Sequence, residues 1–504
     1  MDSLTDLACR LGRIALVASG FALDLMVVLP HCCCQFDLEG FVSKGSYTYP
    51  DHILSIFQSA AAQISRDEQA EVGKSHPEAV RTGQDGLLEA ATEIAGVRMQ
   101  GRVDRKAHGL AQDEIETEAL SPIGLAKVCA SLGLQYLEAK LKGDRATAER
   151  LQSEMADSKC DFRWASTIDQ YLRYFGPSGT RAQIPYVTPK KAGETVIQIP
   201  SNATIGLIGD WGTGADPARR LLTQLKAQRP DIIVHLGDIY YSGTPQECEA
   251  NFEDIIDDVF ERHKTNIPVY TLAGNHDLYS GGVGYYGLIK RLNKKPSTQP
   301  ASFFCLRTED AKWQFLAMDT GLNDYNPFTV NDAVTFVNAD EEQWHRRRIE
   351  EFGGSTVLLS HHQLFSAFSP IGKADDSAKR AAYNPKLRQT FETLKSLRKP
   401  IPAWFWGHEH NLCIYEPYIG LSKGRCVGCS AIPTFVDDDP YDVVEGLNDP
   451  PKLVENTKLS VAGNVFGHAF ATLSITKQGP IETRYFEDLN GSCRMRYSES
   501  ISGD

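Results

Sequence analysis

From residue 203 onward, five apolar, strand-like stretches each run straight into a short polar cluster, and this arrangement constrains the fold more than any other feature. ATIGLI leads into Gly209-Asp210-Trp211-Gly212, DIIVHL into Gly237-Asp238-Ile239-Tyr240-Tyr241, and VYTLA into Gly274-Asn275-His276-Asp277. STVLL leads into Ser360-His361-His362, and AWFW into Gly407-His408-Glu409-His410. Parallel strands of an open α/β sheet deliver the residues at their ends to one common edge, which is where such sheets place their sites. A lone aspartate or histidine after a strand is commonly a core or turn residue. Five clusters in fixed order, all carrying Asp, Asn, Tyr or His, point instead to a shared site.

The intervening sequence alternates helices with strands. Helical patterns fall near 216–228, 250–262, 340–350 and 386–396, with strands at 203–208, 231–236, 267–273, 302–306, 313–318, 356–360 and 402–406. Runs 469–475 and 481–486 alternate like an antiparallel hairpin, leaving 491–504 as a tail. The expected fold is α/β: a four-layer α/β/β/α sandwich of two mixed sheets over 196–490. Residues 1–180 read as a mostly helical region, with Leu125, Val128, Leu132 and Leu137 at helical spacing, and 181–195 as a linker. No ligand-spaced grouping marks the helical region, so partner binding through its helices is the open role there.

A chain of 504 residues is long for one core, which agrees with two domains. Its net charge of −13 excludes a broad nucleic-acid-binding face, since phosphate contacts require clustered Lys and Arg. The apolar run Ile14–Leu29 is interrupted by Asp24 and falls short of the roughly 20 residues that span a bilayer, so stable membrane insertion is not expected. A buried segment, a signal or anchor, and acylation of Cys32–Cys34 are the alternatives there. Twelve scattered cysteines favour a reducing, cytoplasmic setting. Cys426 and Cys429 form a lone C-x-x-C, for which packing is the expectation.

Two cations a few ångströms apart need a shared carboxylate to offset their repulsion, and Asp238 is the candidate bridge. Asp210 can complete one metal and Asn275 can supply a neutral oxygen to the other, with His361, His408 and His410 finishing the shells. The ordered set G-D-x-G, G-D-x-x-Y, G-N-H-D, a strand-terminal His and G-H-x-H resembles the calcineurin-like metallophosphoesterase superfamily, and its second motif resembles the purple acid phosphatase branch. The resemblance covers about 200–490. It implies one metal held by Asp210, Asp238, Tyr241 and His410, and a second held by Asp238, Asn275, His361 and His408. It further implies a dinuclear hydrolase of phosphate esters in which metal-bound hydroxide attacks phosphorus and His276 assists the leaving group.

A tyrosine ligand suits ferric iron, which displaces a phenol proton that water retains to a pKa near 10. Iron paired with zinc, manganese or a second iron is therefore the expected cofactor, with Tyr241 as a packing residue beside Tyr240 the alternative. Related enzymes carry a further histidine beyond the fourth motif, and the neighbourhood of Pro370 has none, so monoester and diester substrates both stay open. A non-catalytic scaffold is the rival of a different class. His362 is read as a group supporting the metal ligands, as substrate-facing, or as a packed imidazole, Asp319 as orienting nearby backbone, and Arg346–Arg348 as a solvated face. Leu278–Tyr286 is read as a substrate contact or a surface turn.

Overall fold

A computed structural model describes residues 174–175, 180 and 183–503, apart from 215, 327–332, 374, 376, 433, 435–438, 463–464 and 477–478. Two units divide the chain, Met1–Asp169 and Gln170–Asp504, and only the second contains described residues. The expected helices before 174, the apolar run Ile14–Leu29 and the cysteine triplet lie outside them. Among the described residues, no helix is long and apolar enough to cross a membrane.

Thirteen strands build two mixed sheets. They are β1 (Ile197–Ile199), β2 (Thr204–Ile208), β3 (Ile232–His235), β4 (Val269–Thr271), β5 (Phe304–Thr308), β6 (Trp313–Ala317) and β7 (Ser355–Leu359). Then follow β8 (Ala403–Trp406), β9 (Leu412–Ile414), β10 (Lys423–Val427), β11 (His468–Ser474), β12 (Ile481–Leu489) and β13 (Ser492–Ile501). The seven-stranded sheet has the order β1-β5-β6-β7-β8-β10-β9 and the six-stranded sheet β13-β12-β11-β2-β3-β4. The strands that lead into the polar clusters are parallel neighbours: β2, β3 and β4 in one sheet, β7 and β8 in the other.

Side-chain alternation along the strands sets the layers. Ile205, Leu207, Ile232, Val234 and Tyr270 point into a core shared with Phe315, Val357 and Phe405 of the other sheet. Their neighbours Ile208, Ile233 and Val269 face the opposite way, against Leu221, Leu222 and Leu225 of α1 (Asp216–Ala227) and Ile256 of α2 (Asp254–Phe260). On the seven-stranded sheet, α4 (Ala339–Glu350) accepts Gln314 of β6 through the Arg348 carbonyl, and α5 (Pro385–Lys395) lays Phe391 against Trp404 of β8. The remaining long helix, α3 (Val283–Arg291), follows the third cluster. The architecture is the expected α/β/β/α sandwich.

Three expectations need correction. Residues 492–501 are no tail but the outer strand β13, missed because most of its side chains stay solvated; pairing to β12 and the Glu487–Arg494 and Glu499–Arg425 ion pairs hold it. Leu278–Tyr286 is not a surface turn, since Tyr279, Tyr285 and Tyr286 are buried and α3 begins inside the segment. Arg348 is buried over the Trp344 ring and pairs with Glu194 and Glu351, whereas Arg346 and Arg347 remain partly solvated. Cys426 and Cys429 are buried free thiols, as a packing role requires.

Candidate metal centre

The five clusters meet at one edge because the loops are stitched to one another. Asp210 N–H donates to Gly237 O (3.1 Å), His408 N–H to Asp210 Oδ2 (2.8 Å), His276 N–H to Asp238 Oδ1 (3.0 Å) and Gly407 N–H to His361 O (2.9 Å). Asp210, Asp238 and His408 have φ values of 53°, 75° and 68°, a region non-glycine residues enter rarely. Gly274 is required by close approach, for a Cβ there would overlap the Asp238 carboxylate and lie 2.7 Å from its backbone nitrogen.

Each of the two central carboxylates spends one oxygen on a backbone N–H and turns the other to the centre. Asp210 Oδ1 accepts the Tyr240 hydroxyl at 2.9 Å and lies 3.7 Å from His410 Nε2. Asp238 Oδ2 is 3.3 Å from the same hydroxyl and 3.4 Å from His361 Nε2. Beyond it, Asn275 Oδ1 sits 3.0 Å from His361 Nε2 and 3.1 Å from His408 Nδ1, and those two nitrogens are 3.2 Å apart. Two groups of donor atoms therefore share Asp238: Asp210, Tyr240 and His410 on one side, Asn275, His361 and His408 on the other.

The donor chemistry fits cations. His361 Nδ1 lies 2.9 Å from the Leu236 carbonyl, which can only accept, so Nδ1 carries the proton and Nε2 presents a lone pair. Asn275 is oriented by donating its amide N–H to Tyr279 Oη at 2.5 Å, which aims its oxygen at the imidazoles. Burial lowers the proton affinity of His361, helped by its histidine neighbours, and pushes His408 down to about 3, so both rings are neutral. Burial raises Asp210 and Asp238, and Asp277 is pushed up to about 7 for the same reason. Burial thus disfavours both the carboxylate forms of the acids and the protonated forms of the imidazoles, and a bound cation would offset the cost of the carboxylates.

The two adjacent tyrosines are placed differently. The phenol facing the carboxylates is that of Tyr240, not Tyr241. Tyr241 has its N–H taken by Glu247 Oε1 (2.7 Å) and its carbonyl by His276 Nδ1 (2.7 Å), which turns its side chain to pack with Tyr240 and Ile432. Six of the expected ligands, Asp210, Asp238, Asn275, His361, His408 and His410, are brought together. His276 stands beside them with its ring between Tyr240 (4.6 Å) and Tyr279 (4.9 Å).

Several residues support the site without facing its centre. Glu247 caps the second cluster by accepting from the N–H groups of Tyr241, Ser242 and Thr244, and only its place three residues after Thr244 hinted at a capping box. Asp277 accepts from the N–H groups of Asp238 (2.9 Å), Ile239 (3.2 Å) and Gly274 (2.8 Å), tying the second cluster to the third. Glu409, pushed up to about 7 by burial, accepts from Ser366 and Trp406. Asp319 orients backbone as expected, accepting Leu322 N–H at 2.9 Å.

Residues 203–412 match the family model described as calcineurin-like phosphoesterase. Tartrate-resistant acid phosphatase type 5 of Mus musculus is 32% identical over 228 residues, covering 41% of this chain and 65% of that protein. The Oryctolagus cuniculus protein of the same name is 31% identical over 233 residues, covering 41% and 66%. The chain thus spans just under two thirds of the length of these relatives. A purple acid phosphatase from yellow lupin (Lupinus luteus) seeds aligns in structure with a TM-score of 0.38 and 13% identity, over 60% of this chain and 55% of that one.

Proposed function

We propose that this chain, which belongs to the calcineurin-like phosphoesterase family over residues 203–412, hydrolyses phosphate esters with the help of two metal ions. The observation that carries the reading is the place of Asp238, whose Oδ2 lies between the Asp210–Tyr240 group and the His361–Asn275–His408 group. Asp210, Asp238, Tyr240 and His410 would hold one ion, and Asp238, Asn275, His361 and His408 the other. Iron paired with zinc, manganese or iron is the metal content favoured by the phenol. Such a pair supplies Lewis acidity, lowering the pKa of water and neutralising charge on the phosphoryl oxygens.

The chain's own contribution to leaving-group departure rests with His276. Its Nδ1–H donates to the Tyr241 carbonyl and its main-chain N–H to Asp238, so the ring is fixed from two sides. That tautomer puts the second titrating position at Nε2. A proton taken up there can be handed to the departing oxygen, while the carbonyl at Nδ1 stabilises the imidazolium before the transfer. The rings of Tyr240 and Tyr279 limit its rotation.

The test is turnover of an aryl phosphate monoester and an aryl diester by the full chain, with metal content measured in parallel. Asp238→Asn is expected to lose both ions and activity together. His276→Gln is expected to keep its metals while kcat falls by about 10²–10⁴. Metal-replete protein inert on both ester classes overturns the reading.

A further inference from the structure

We infer that His362 is a positioning residue, clamped between Thr320 and Asp324, that holds the His361 and His408 rings in register and so sets the affinity for one ion of the pair. The inference rests on the function proposed above.

His362 is buried, and by proximity alone it belongs to a group of three imidazoles with His361 and His408. Its hydrogen bonds give it a different task. Nε2 lies 3.0 Å from Asp324 Oδ2, and Nδ1 lies 3.0 Å from Thr320 Oγ1, which also accepts the His362 backbone N–H at 3.0 Å. With Asp324 as the carboxylate, one proton arrangement satisfies the chain: backbone N–H to Oγ1, O–H to Nδ1, and Nε2–H to the carboxylate. Both ring nitrogens are then engaged, and neither is left for a metal.

What the ring offers its neighbours is its faces and edges. Its centroid is 4.4 Å from that of His408 at 41°, and 4.8 Å from that of His361 at 90°. It therefore wedges the two imidazoles whose lone pairs would converge, together with Asn275 Oδ1, on one ion. The clamp comes from the loop after β6, a strand adjacent to β7 that supplies no ligand of its own. Gly321 brings that loop against the end of β4, for a Cβ there would lie 2.5 Å from Ala273 O and 2.6 Å from Gly274 O. One loop thus braces His361 and His408 through His362 and abuts the backbone next to Asn275.

The experiment uses the full chain stripped of metal and titrated with zinc alone against a colorimetric chelator, which resolves two dissociation constants. His362→Asn and Thr320→Val are each expected to weaken one zinc site by about 10–100-fold and leave the other unchanged, the range typical of groups that orient metal ligands. Asp324→Asn should lie between them and wild type, because an amide oxygen can still accept Nε2–H. Wild-type affinities at both sites in His362→Asn and Thr320→Val overturn the inference while leaving the proposed function intact. Equal weakening of both sites with a lowered melting temperature of the metal-free protein also overturns it, since that is general structural damage. A wild-type chain that takes up no zinc removes the inference together with the reading beneath it.

Discussion

Two adjacent tyrosines permit a sharp separation of geometry from motif spacing. Tyr240→Phe deletes a hydroxyl that is buried, donates to Asp210 Oδ1 at 2.9 Å and lies within 3.3 Å of Asp238 and 3.2 Å of His410. Tyr241→Phe deletes one whose ring packs beside Ile432, while its backbone contacts to Glu247 and His276 survive the substitution. A hydrogen bond to a charged partner is worth about 1.5–3 kcal/mol, or roughly 10–150-fold in an equilibrium constant. Tyr240→Phe should lose that much affinity for the ion shared with Asp210 and His410, and Tyr241→Phe should change little. The assay is titration of metal-free protein with ferric iron, followed by visible absorption. A phenolate-to-iron band is expected in wild type and Tyr241→Phe and not in Tyr240→Phe. A band kept by Tyr240→Phe and abolished in Tyr241→Phe would refute the assignment.

Two further perturbations probe the scaffold. Gly274→Ala drives a methyl into the Asp238 carboxylate, so metal uptake should fail and the unfolding free energy should drop by about 1–3 kcal/mol, the usual range for overpacking; unchanged metal content and melting temperature would contradict the packing. Glu341, buried against Asp319 N–H and His345, has its carboxyl pushed up to about 8 by burial, so the native state holds a proton the unfolded chain releases. The sign follows: its contribution is full below its unfolded pKa near 4.5 and is lost as pH rises through about 8, at no more than about 1.4 kcal/mol per pH unit. Glu341→Gln should flatten that decline in denaturant titrations between those limits; an unchanged slope would show that Glu341 is ionised in the fold.

Strand ends were the legible part of this protein. Continuous apolar runs at β2, β3 and β4, buried on both faces, made the sheets readable, and the placement of six polar ligand candidates follows from their position just beyond strands. Tyr240 against Tyr241 was not legible, because the choice depends on which backbone groups Glu247 and His276 capture, and the strand pattern does not show that pairing. The surface-turn alternative for the tyrosine-rich segment after the third cluster arose because Gly281 and Gly282 resemble turn punctuation, whereas three of its rings are buried. Thr320 and Asp324 follow β6 just as the ligands follow their strands, but a Thr and an Asp four residues apart are ordinary turn chemistry. Their meaning appears only when His362 reaches across from the next strand.

Left-handed backbone at Asp210, Asp238 and His408 bears on how the centre forms. Non-glycine residues in that region cost about 1–2 kcal/mol each, so three of them amount to roughly 3–6 kcal/mol that the isolated loops cannot sustain. Each of the three has its N–H captured by another cluster: Asp210 by Gly237 O, Asp238 by Asp277 Oδ2, and His408 by Asp210 Oδ2. Asp210 and Asp238 are thus held by loops of their own six-stranded sheet, whereas His408 is held only once the loop after β8 of the other sheet has met Asp210. Asp210 takes part in both roles, since Oδ2 fixes His408 while Oδ1 faces Tyr240 and His410. Asp238 repeats the division, with Oδ1 on the His276 N–H and Oδ2 toward His361. The carboxylates that would bind metal also close the backbone around it, and through the His408 N–H the Asp210 carboxylate joins the two sheets at that point.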